Sequence, residues 1–406
     1  MTPSLPSTRA IWLLMLSSAG ILALTMGARL SLGLFIQPIV DSTSMTVVSL
    51  SFALAIGQFV WGAVQPVFGA IADKTGAVAV VIWGGVLMAA GLAAATLFPS
   101  ELGLTIALGV VSAAGAGAGA FSILIGATAR QLPPERRAFA AGFINAGGSF
   151  GQFVFAPVVQ ALIAAFGWVA ALWSMAATTL LTLPLARALG GPALPEPAGA
   201  AAPISLSEQI AIALRDRSYW LLHLGFFTCG LHIAFLVTHL PGEVALCGLP
   251  AGVSATSLAL IGLFNIAGSL SAGALGQRMR MKTVLAAVYA LRALFIGLFL
   301  LLPRTAWTFY LFAAALGFTW LATVPPTAGL VGKLFGTRYL GTLFGLTLLS
   351  HQIGGFFGAW LGGVAISRFG DYSWMWIADM VLALLAALFC LPLREAPLAR
   401  PAPAAA

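Results

Sequence analysis

The chain has 406 residues, of which 60% are hydrophobic and only 7% charged, and its mean hydropathy is +1.03. A water-soluble domain carries about 25% charged residues because its surface must be solvated. This composition excludes such a domain and requires that most of the chain face lipid or other helices. The formal net charge of +8 raises nucleic acid as a partner, which the distribution of that charge excludes.

Runs of about 20 apolar residues, the length that crosses a hydrocarbon core as helix, recur along the whole chain. In the first half they fall at 11–37, 46–72, 78–98, 102–129, 138–165 and 168–189. In the second they fall at 218–242, 254–276, 283–302, 307–332, 340–366 and 373–393. Stretches such as Val80 to Ala95 are apolar on all sides and lack the period-two alternation of a membrane β-barrel. The expected fold is therefore all-α, with backbone polar groups satisfied inside helices. The first run is too long for a signal-peptide core and is followed by no small-residue cleavage site, so it reads as a retained helix. Twelve spans with the N-terminus inside put 15 of the 19 basic residues on one side; Arg304 and Arg368 fall on the other, and Arg29 and Arg292 lie within spans. The positive-inside rule then expects both termini in the cytoplasm. The basic excess reports topology rather than a nucleic-acid partner.

Polar residues inside spans stand out in chain order. Arg29 falls about seventeen residues into span one, in its outer half at roughly 1.5 Å rise per residue. A charge there costs several kcal/mol, so Arg29 either holds a carboxylate in a cavity or pairs with, or caps carbonyls of, a neighbouring helix. Span two carries Gln58 and Gln65, span four the run "AAGAGAGA" (Ala113 to Ala120), and span five Asn145 and Gln152 on one face. Gly190 to Ile204, rich in Pro, Gly and Ala, reads as a linker. Ser205 to Arg217 follows as a short amphipathic helix capped by Ser205 or Ser207. The expected units are thus 1–189, a connection at 190–217, and 218–406. Span seven holds His223, His232 and His239, the last two on one face about 10 Å apart along the axis. Asn265 is the strongest polar group of span eight, Arg292 sits mid-span nine, His351 and Gln352 in span eleven, and Asp379 in span twelve. An imidazole titrates near neutral pH, so a cavity histidine can carry a coupling proton; the alternative is a hydrogen-bonded histidine that stabilises the bundle. The amides either bind a carboxylate or hydroxyl, or act as interhelical glue worth around 0.6 kcal/mol. Cys229, Cys247 and Cys390 form no motif and read as small packing residues.

The two halves echo one another. "GAIADK" (Gly69 to Lys74) after span two corresponds to "GALGQR" (Gly273 to Arg278) after span eight, 204 residues on; Gly142 and Gly151 align with Gly345 and Gly354 at an offset of 203. Parallel halves of this type enclose a site near the bilayer midplane and alternate its access by rocking. Four-residue glycine spacing in span eleven (Gly341, Gly345, Gly354, Gly358, Gly362) lets backbones approach closely, either as static packing or as a surface over which the halves move. No Walker-type segment, HExxH or paired catalytic acids occur, which argues against an ATP-driven pump or an intramembrane enzyme; no metal or cofactor is expected.

"GAIADKTG" (Gly69 to Gly76) resembles the loop between spans two and three of the major facilitator superfamily, and "GALGQRMRMK" its degenerate second copy. Within that superfamily "GARLSLGLFIQPI", "CGLHIAFLVTHLP", "HQIGGFFGAWLGG" and "LPLREAP" resemble the monocarboxylate and oxalate/formate transporter-like branch, over residues 10–395. The resemblance implies twelve helices in two pseudo-symmetric six-helix bundles. It also implies a cytoplasmic gate at Gly69, Asp73, Lys74 and Gly76, with Asp73 at the N-terminal end of a helix in the other half and Lys74 holding the loop. A carboxylate so placed gains roughly 0.3–1 kcal/mol, up to about 2 when partly buried; the alternative is an ordinary charged turn. Gln277 replaces the acid in the second copy and should latch more weakly. Spans one, four, seven and ten line the cavity in this family, whereas three, six, nine and twelve are peripheral. On that basis Arg292, bonding carbonyls of broken backbone near Pro325 and Pro326, and Asp379 are expected to be structural.

Two departures limit the transfer. Animal-type monocarboxylate transporters pair Asp and Arg in span eight, where this chain has no charge, and place Lys directly before a Ser in span one, where Leu30 precedes Ser31. The expectation is a secondary transporter of the bacterial inner membrane, acting as a monomer. It moves a small organic anion, a monocarboxylate first, by proton symport or anion exchange. Arg29, Gln152, His232, Asn265, His351 and Gln352 are the candidate substrate ligands, and protons the candidate coupling ion. An exporter of drugs or other amphipathic molecules is the alternative.

Overall fold

The computed structural model describes residues 7–45, 47–193 and 204–396, and the regular structure among them is entirely helical. Twelve spans follow in order: α1 Thr8–Phe35, α2 Val47–Thr75, α3 Ala77–Leu97, α4 Glu101–Gln131, α5 134–166, α6 168–190, α7 Arg217–Leu246, α8 Ala251–Arg278, α9 Met281–Leu301, α10 Ala306–Phe335, α11 Leu340–Phe369 and α12 Ser373–Cys390. The sequence expectation of six spans in each half holds to within a few residues. α5 and α6 form one nearly continuous helical run, Pro134–Gly190, which reverses at Gly167 and passes through a turn at Leu180 and Leu181. With φ +79° and ψ 169°, Gly167 turns the chain back on itself in a conformation that a Cβ would strain. Most of the predicted linker lies outside the described residues. Beyond it Leu206–Arg215 is helical, and of the two candidate caps it is Ser205 whose hydroxyl accepts from the Glu208 amide at 3.2 Å.

An even number of spans puts both chain ends on one face of the bundle, here called the terminal face. The repeat seen in the sequence is a repeat of contacts. A Cβ built on Gly151 of α5 would lie 2.1 Å from the Ala23 carbonyl of α1, and one on Gly354 of α11 would lie 2.0 Å from the Phe227 carbonyl of α7. Glycine pairs α1 with α5 and α7 with α11 because only a missing side chain lets these backbones touch. Between the halves, a Cβ on Gly142 of α5 would come within 2.5 Å of the Ser269 carbonyl of α8, and one on Gly345 of α11 would lie 3.0 Å from the Pro66 nitrogen and 3.1 Å from the Gln65 carbonyl of α2. The 204-residue offset that relates Gly69 to Gly273 also relates Gln65 to Ser269 and Ala23 to Phe227. In α4 the glycine run serves three neighbours: Gly115 meets α3 at Met88, Gly117 meets α2 at Val64, and Gly119 meets α1 at Thr25.

Two residues in the segment after α12 close the second half on the terminal face. Arg394 bonds Asp216 at 2.5 Å and its amide donates to Ser218. The Glu395 carboxylate accepts from the Met281 and Lys282 amides at the start of α9 and from Lys333 Nζ at 2.6 Å. Partial burial pushes the Glu395 carboxyl up, but Lys333 and the two amides outweigh it and hold the group below its ordinary value.

Two outcomes are expected in thermal unfolding of detergent-purified protein. Gly354→Val drives a side chain into the Phe227 carbonyl and costs about 1–3 kcal/mol or more, whereas Gly363→Val, with open space around it, leaves the midpoint unchanged. A carboxyl lowered by folding contributes fully above its ordinary pKa, and that contribution is lost as the pH falls through the lowered value. Glu395→Gln therefore lowers the midpoint at pH 7, and the difference from the parent protein narrows as the pH drops below 4.5, the ordinary value.

Candidate functional site

At the terminal face α2 ends against the start of α11. The Asp73 carboxylate, buried, accepts from the Gly341 amide at 3.3 Å, the Thr342 amide at 2.7 Å and the Thr342 hydroxyl at 2.8 Å. Leu340 is the first residue of α11, so these are free first-turn amides, where the helix dipole and the unused donors both favour an anion. Gly69 lies one turn earlier, where a Cβ would be 2.5 Å from the Gly341 carbonyl, and Gly126 of α4 packs on the Gly341 amide. Gly76, with φ +97°, turns the chain into α3. Lys74, expected to hold the loop, is exposed and has no polar contact among the described residues. Arg130 of α4 does the holding, donating to the Asp73 and Ala72 carbonyls at 3.0 and 3.2 Å. Gln277, the counterpart of Lys74's neighbour in the second copy, is exposed and makes no comparable bond.

A second set of contacts joins the halves along α5 and α8. Asn145 donates to the Ser269 hydroxyl at 2.7 Å and to the Leu321 carbonyl at 3.1 Å; Asn265 donates to the Ser149 hydroxyl at 2.6 Å and accepts from the Leu321 amide at 3.0 Å. Both amides are buried. Asn265, expected as a substrate ligand, is thus engaged by protein in this conformation. Gln152 lies on the same face of α5 two turns beyond Asn145 and is exposed. Gln352 of α11 packs across Gly62 of α2, where a Cβ would be 2.5 Å from its Cγ. The contact between halves therefore runs from the terminal face to the middle of α2, α5, α8 and α11.

Arg29 sits above that level. Its guanidinium stacks on the Trp61 ring of α2 with Cζ 4.2 Å from the centroid, and Trp61 meets Phe121 of α4 edge-on at 6.4 Å. Helical side chains lean toward the N-terminus of their own helix, which brings the Arg29 head from the outer part of α1 back toward mid-span. The sequence left a salt bridge or a carbonyl cap as alternatives for Arg29. Neither occurs among the described residues, and the buried Trp61 Nε1–H has no acceptor either. The Arg29 guanidinium and the Trp61 ring thus lie together, with no acceptor for the indole N–H among the described residues.

The second half holds a separate buried cluster. α10 is interrupted between Thr319 and Val324, ahead of Pro325 and Pro326, which have no amide hydrogens to continue the ladder. Arg292 of α9 donates to the exposed carbonyls of Thr319 at 2.5 Å and Trp320 at 2.9 Å, the placement expected from the two prolines. Beside it His232 Nδ1 of α7 hydrogen-bonds Asp379 Oδ2 of α12, with both residues fully buried. His232, expected in the cavity lining, therefore faces α12, while His239 bonds the Ala359 carbonyl of α11 at 2.8 Å. His351 lies against Phe226 at 5.0 Å, and Cys229 bonds Thr323 at 3.3 Å. The sequence analysis missed Trp61, Arg130 and the His232–Asp379 pairing. Arg130 and Trp61 carry no motif that marks them, and His232 and Asp379 are 147 residues apart.

The Major Facilitator Superfamily model matches residues 16–359 and 262–406. The chain is 27% identical to monocarboxylate transporter 13 of Rattus norvegicus, covering 89% of this chain and 84% of that one. It is 22% identical to the oxalate:formate antiporter of Oxalobacter formigenes, covering 88% and 86%. The fold is similar to that of FucP, the E. coli fucose:proton symporter, solved in an outward conformation, with a TM-score of 0.74 at 17% identity over 94% of this chain and 99% of that one. Twelve spans in two pseudo-symmetric six-helix bundles, the repeated glycine contacts and a match over nearly the whole length agree: this chain belongs to the Major Facilitator Superfamily and is a multi-pass membrane transporter.

Proposed function

We propose that the protein is a secondary transporter of small monocarboxylates, working by alternating access in a bacterial inner membrane with both termini in the cytoplasm. The observation that carries this is the Arg29–Trp61 site, a guanidinium with no ion pair among the described residues stacked on an indole whose N–H has no acceptor among them. A planar guanidinium matches a carboxylate in two parallel hydrogen bonds, and its stacking on Trp61 holds it in place for that geometry. The similarity to a monocarboxylate transporter and to an oxalate:formate antiporter supports the same substrate class. The excess of basic residues on the loops of the terminal face supports the orientation.

The conformation fits an outward-facing state. Contacts between the halves close the terminal face up to Gly62 and Gln352, with Arg29 beyond them. The Asp73 carboxylate on the α11 N-terminus is then the latch of the cytoplasmic gate, backed by Gly69 and Gly76 and steadied by Arg130 rather than Lys74. Gln152 and Gln352, at the upper limit of the closed zone, are placed to meet the substrate; Asn265 and Asn145 are bonds that must break when the gate opens.

Reconstituted protein is expected to take up formate, lactate or pyruvate into proteoliposomes, and no uptake of any carboxylate would sink the reading. Arg29→Gln removes a charged bidentate partner worth about 1.5–3 kcal/mol, so the half-saturation concentration rises roughly 10- to 100-fold. Efflux of lipophilic cations untouched by Arg29→Gln would favour the exporter instead. For the gate, spin labels at Lys74→Cys and Gln277→Cys on a Cys247→Ser background should move apart when Asp73→Asn is added. An unchanged distance distribution would leave Asp73 as an ordinary capping residue.

A further inference from the structure

The His232–Asp379 cluster is remote from Arg29 and has no role in holding an anion. It is also poorly explained as packing. His232 Nε2 and Asp379 Oδ1 are buried side-chain atoms with no hydrogen-bond partner among the described residues, whereas Cys229 offers a partner to Arg292 and His351. A buried pair that only stabilised the bundle would have these two atoms satisfied, because each unmet one costs about 1–3 kcal/mol. His232, Arg292 and Asp379 are fully buried. An imidazole and a carboxylate that share one hydrogen bond and each keep an unfilled site, with a guanidinium near by, leave room for one more proton.

We propose that the His232–Asp379 pair is the proton-binding site that couples transport, so that the carboxylate enters with one proton by symport rather than by exchange. The inference rests on the monocarboxylate reading above. Nearby charged and titratable groups on the helices packed around the pair include Arg292 and Tyr289 of α9, Cys229, Glu243, His223 and His239 of α7, His351 of α11 and Cys390 of α12; His223 is bonded to Ser350 and His239 to the Ala359 carbonyl. Glu243 is occupied by Trp376 and Arg304, and Tyr289 by the Gly225 carbonyl at 2.6 Å. Arg292 is left as the near charge, and it interacts electrostatically with Asp379. With His232 neutral, Arg292 and Asp379 cancel. With His232 protonated, the cluster carries one positive charge, which balances one carboxylate bound in the transporter.

The bonds on the page also link this proton to movement. Arg292 holds the interrupted backbone of α10 at Thr319 and Trp320, and the His232 ring meets the Trp320 ring at 6.0 Å. One residue later, Leu321 is bonded by Asn265 of its own half and by Asn145 of the other. A proton on His232 draws Asp379 away from Arg292 and so alters the hold on the α10 break. That break is itself tied to the opposite half.

The test uses full-length protein in proteoliposomes with two readouts, lactate accumulation driven by a pH gradient and lactate counterflow without one. One pH unit sustains about tenfold accumulation for one-to-one symport. In His232→Gln, which keeps the Arg292–Asp379 charge pair, accumulation should fall to the external level while counterflow persists. The Arg292→Gln/Asp379→Asn double variant, which removes both charges together, should behave alike. Tenfold accumulation retained in His232→Gln overturns the inference, as does parent protein whose accumulation ignores the gradient. Loss of counterflow in both variants places the cluster in the substrate path and overturns it too. Parent protein that moves no carboxylate at all instead overturns the reading on which the inference rests. Arg29→Gln, by contrast, should weaken both readouts together.

Discussion

Between hydrocarbon tails an apolar side chain gains nothing by leaving lipid for another helix, so helices must be held by close contact and by polar bonds. In this protein close contact is made by glycine. Gly151 and Gly354 bring α5 onto α1 and α11 onto α7 at carbonyl distance, and Gly142, Gly69 and Gly345 do the same between the two halves. The first set holds each half together; the second joins the halves. Two kinds of interface thus share one mechanism. Within the second half Tyr219, His223 and His239 of α7 also bond α11, and between halves hydrogen bonds to Asp73 and from Asn145 and Asn265 are added.

That addition is economical because polar bonds can be exchanged for water, while interdigitated apolar packing cannot be undone in steps. The carboxylate of Asp73 uses first-turn amides of α11 that have no helical partner in any conformation. If Asp73 latches a gate as proposed, its opening leaves those amides and that carboxylate at the membrane surface, where water replaces each for the other. Asn145 and Asn265 lie deeper and meet on Leu321, in the stretch where the prolines of α10 have already freed backbone groups. Irregular backbone is tolerated at membrane depth only where other protein groups satisfy it, and here both halves and Arg292 contribute.

Charge inside the bundle is divided between the halves. The first half holds Arg29 on an aromatic face with its donors unused; the second holds Arg292 with Asp379 and His232, its own charge compensated. The unpaired cation sits where the halves part, and the paired one is enclosed among α7, α9, α10 and α12. On the reading proposed above, an anion site and a proton site in opposite halves influence one another through the contact between halves.

Much of this was legible from residue order. Span number, the two halves and the repeat follow from hydropathy and spacing, because the bilayer imposes a length on each helix and forbids unsatisfied backbone whatever the tertiary arrangement. The use of Arg292 on the α10 carbonyls was legible for the same reason: two adjacent prolines must leave carbonyls free, and a buried donor must find acceptors. Partnership across helices was not legible. Whether Arg29 meets an acid or an indole, whether Lys74 or Arg130 holds the Asp73 loop, and whether His232 faces a cavity or Asp379 depend on helix rotation and crossing. These are set by steric fit among glycines and side chains hundreds of residues apart, and only the assembled bundle decides them.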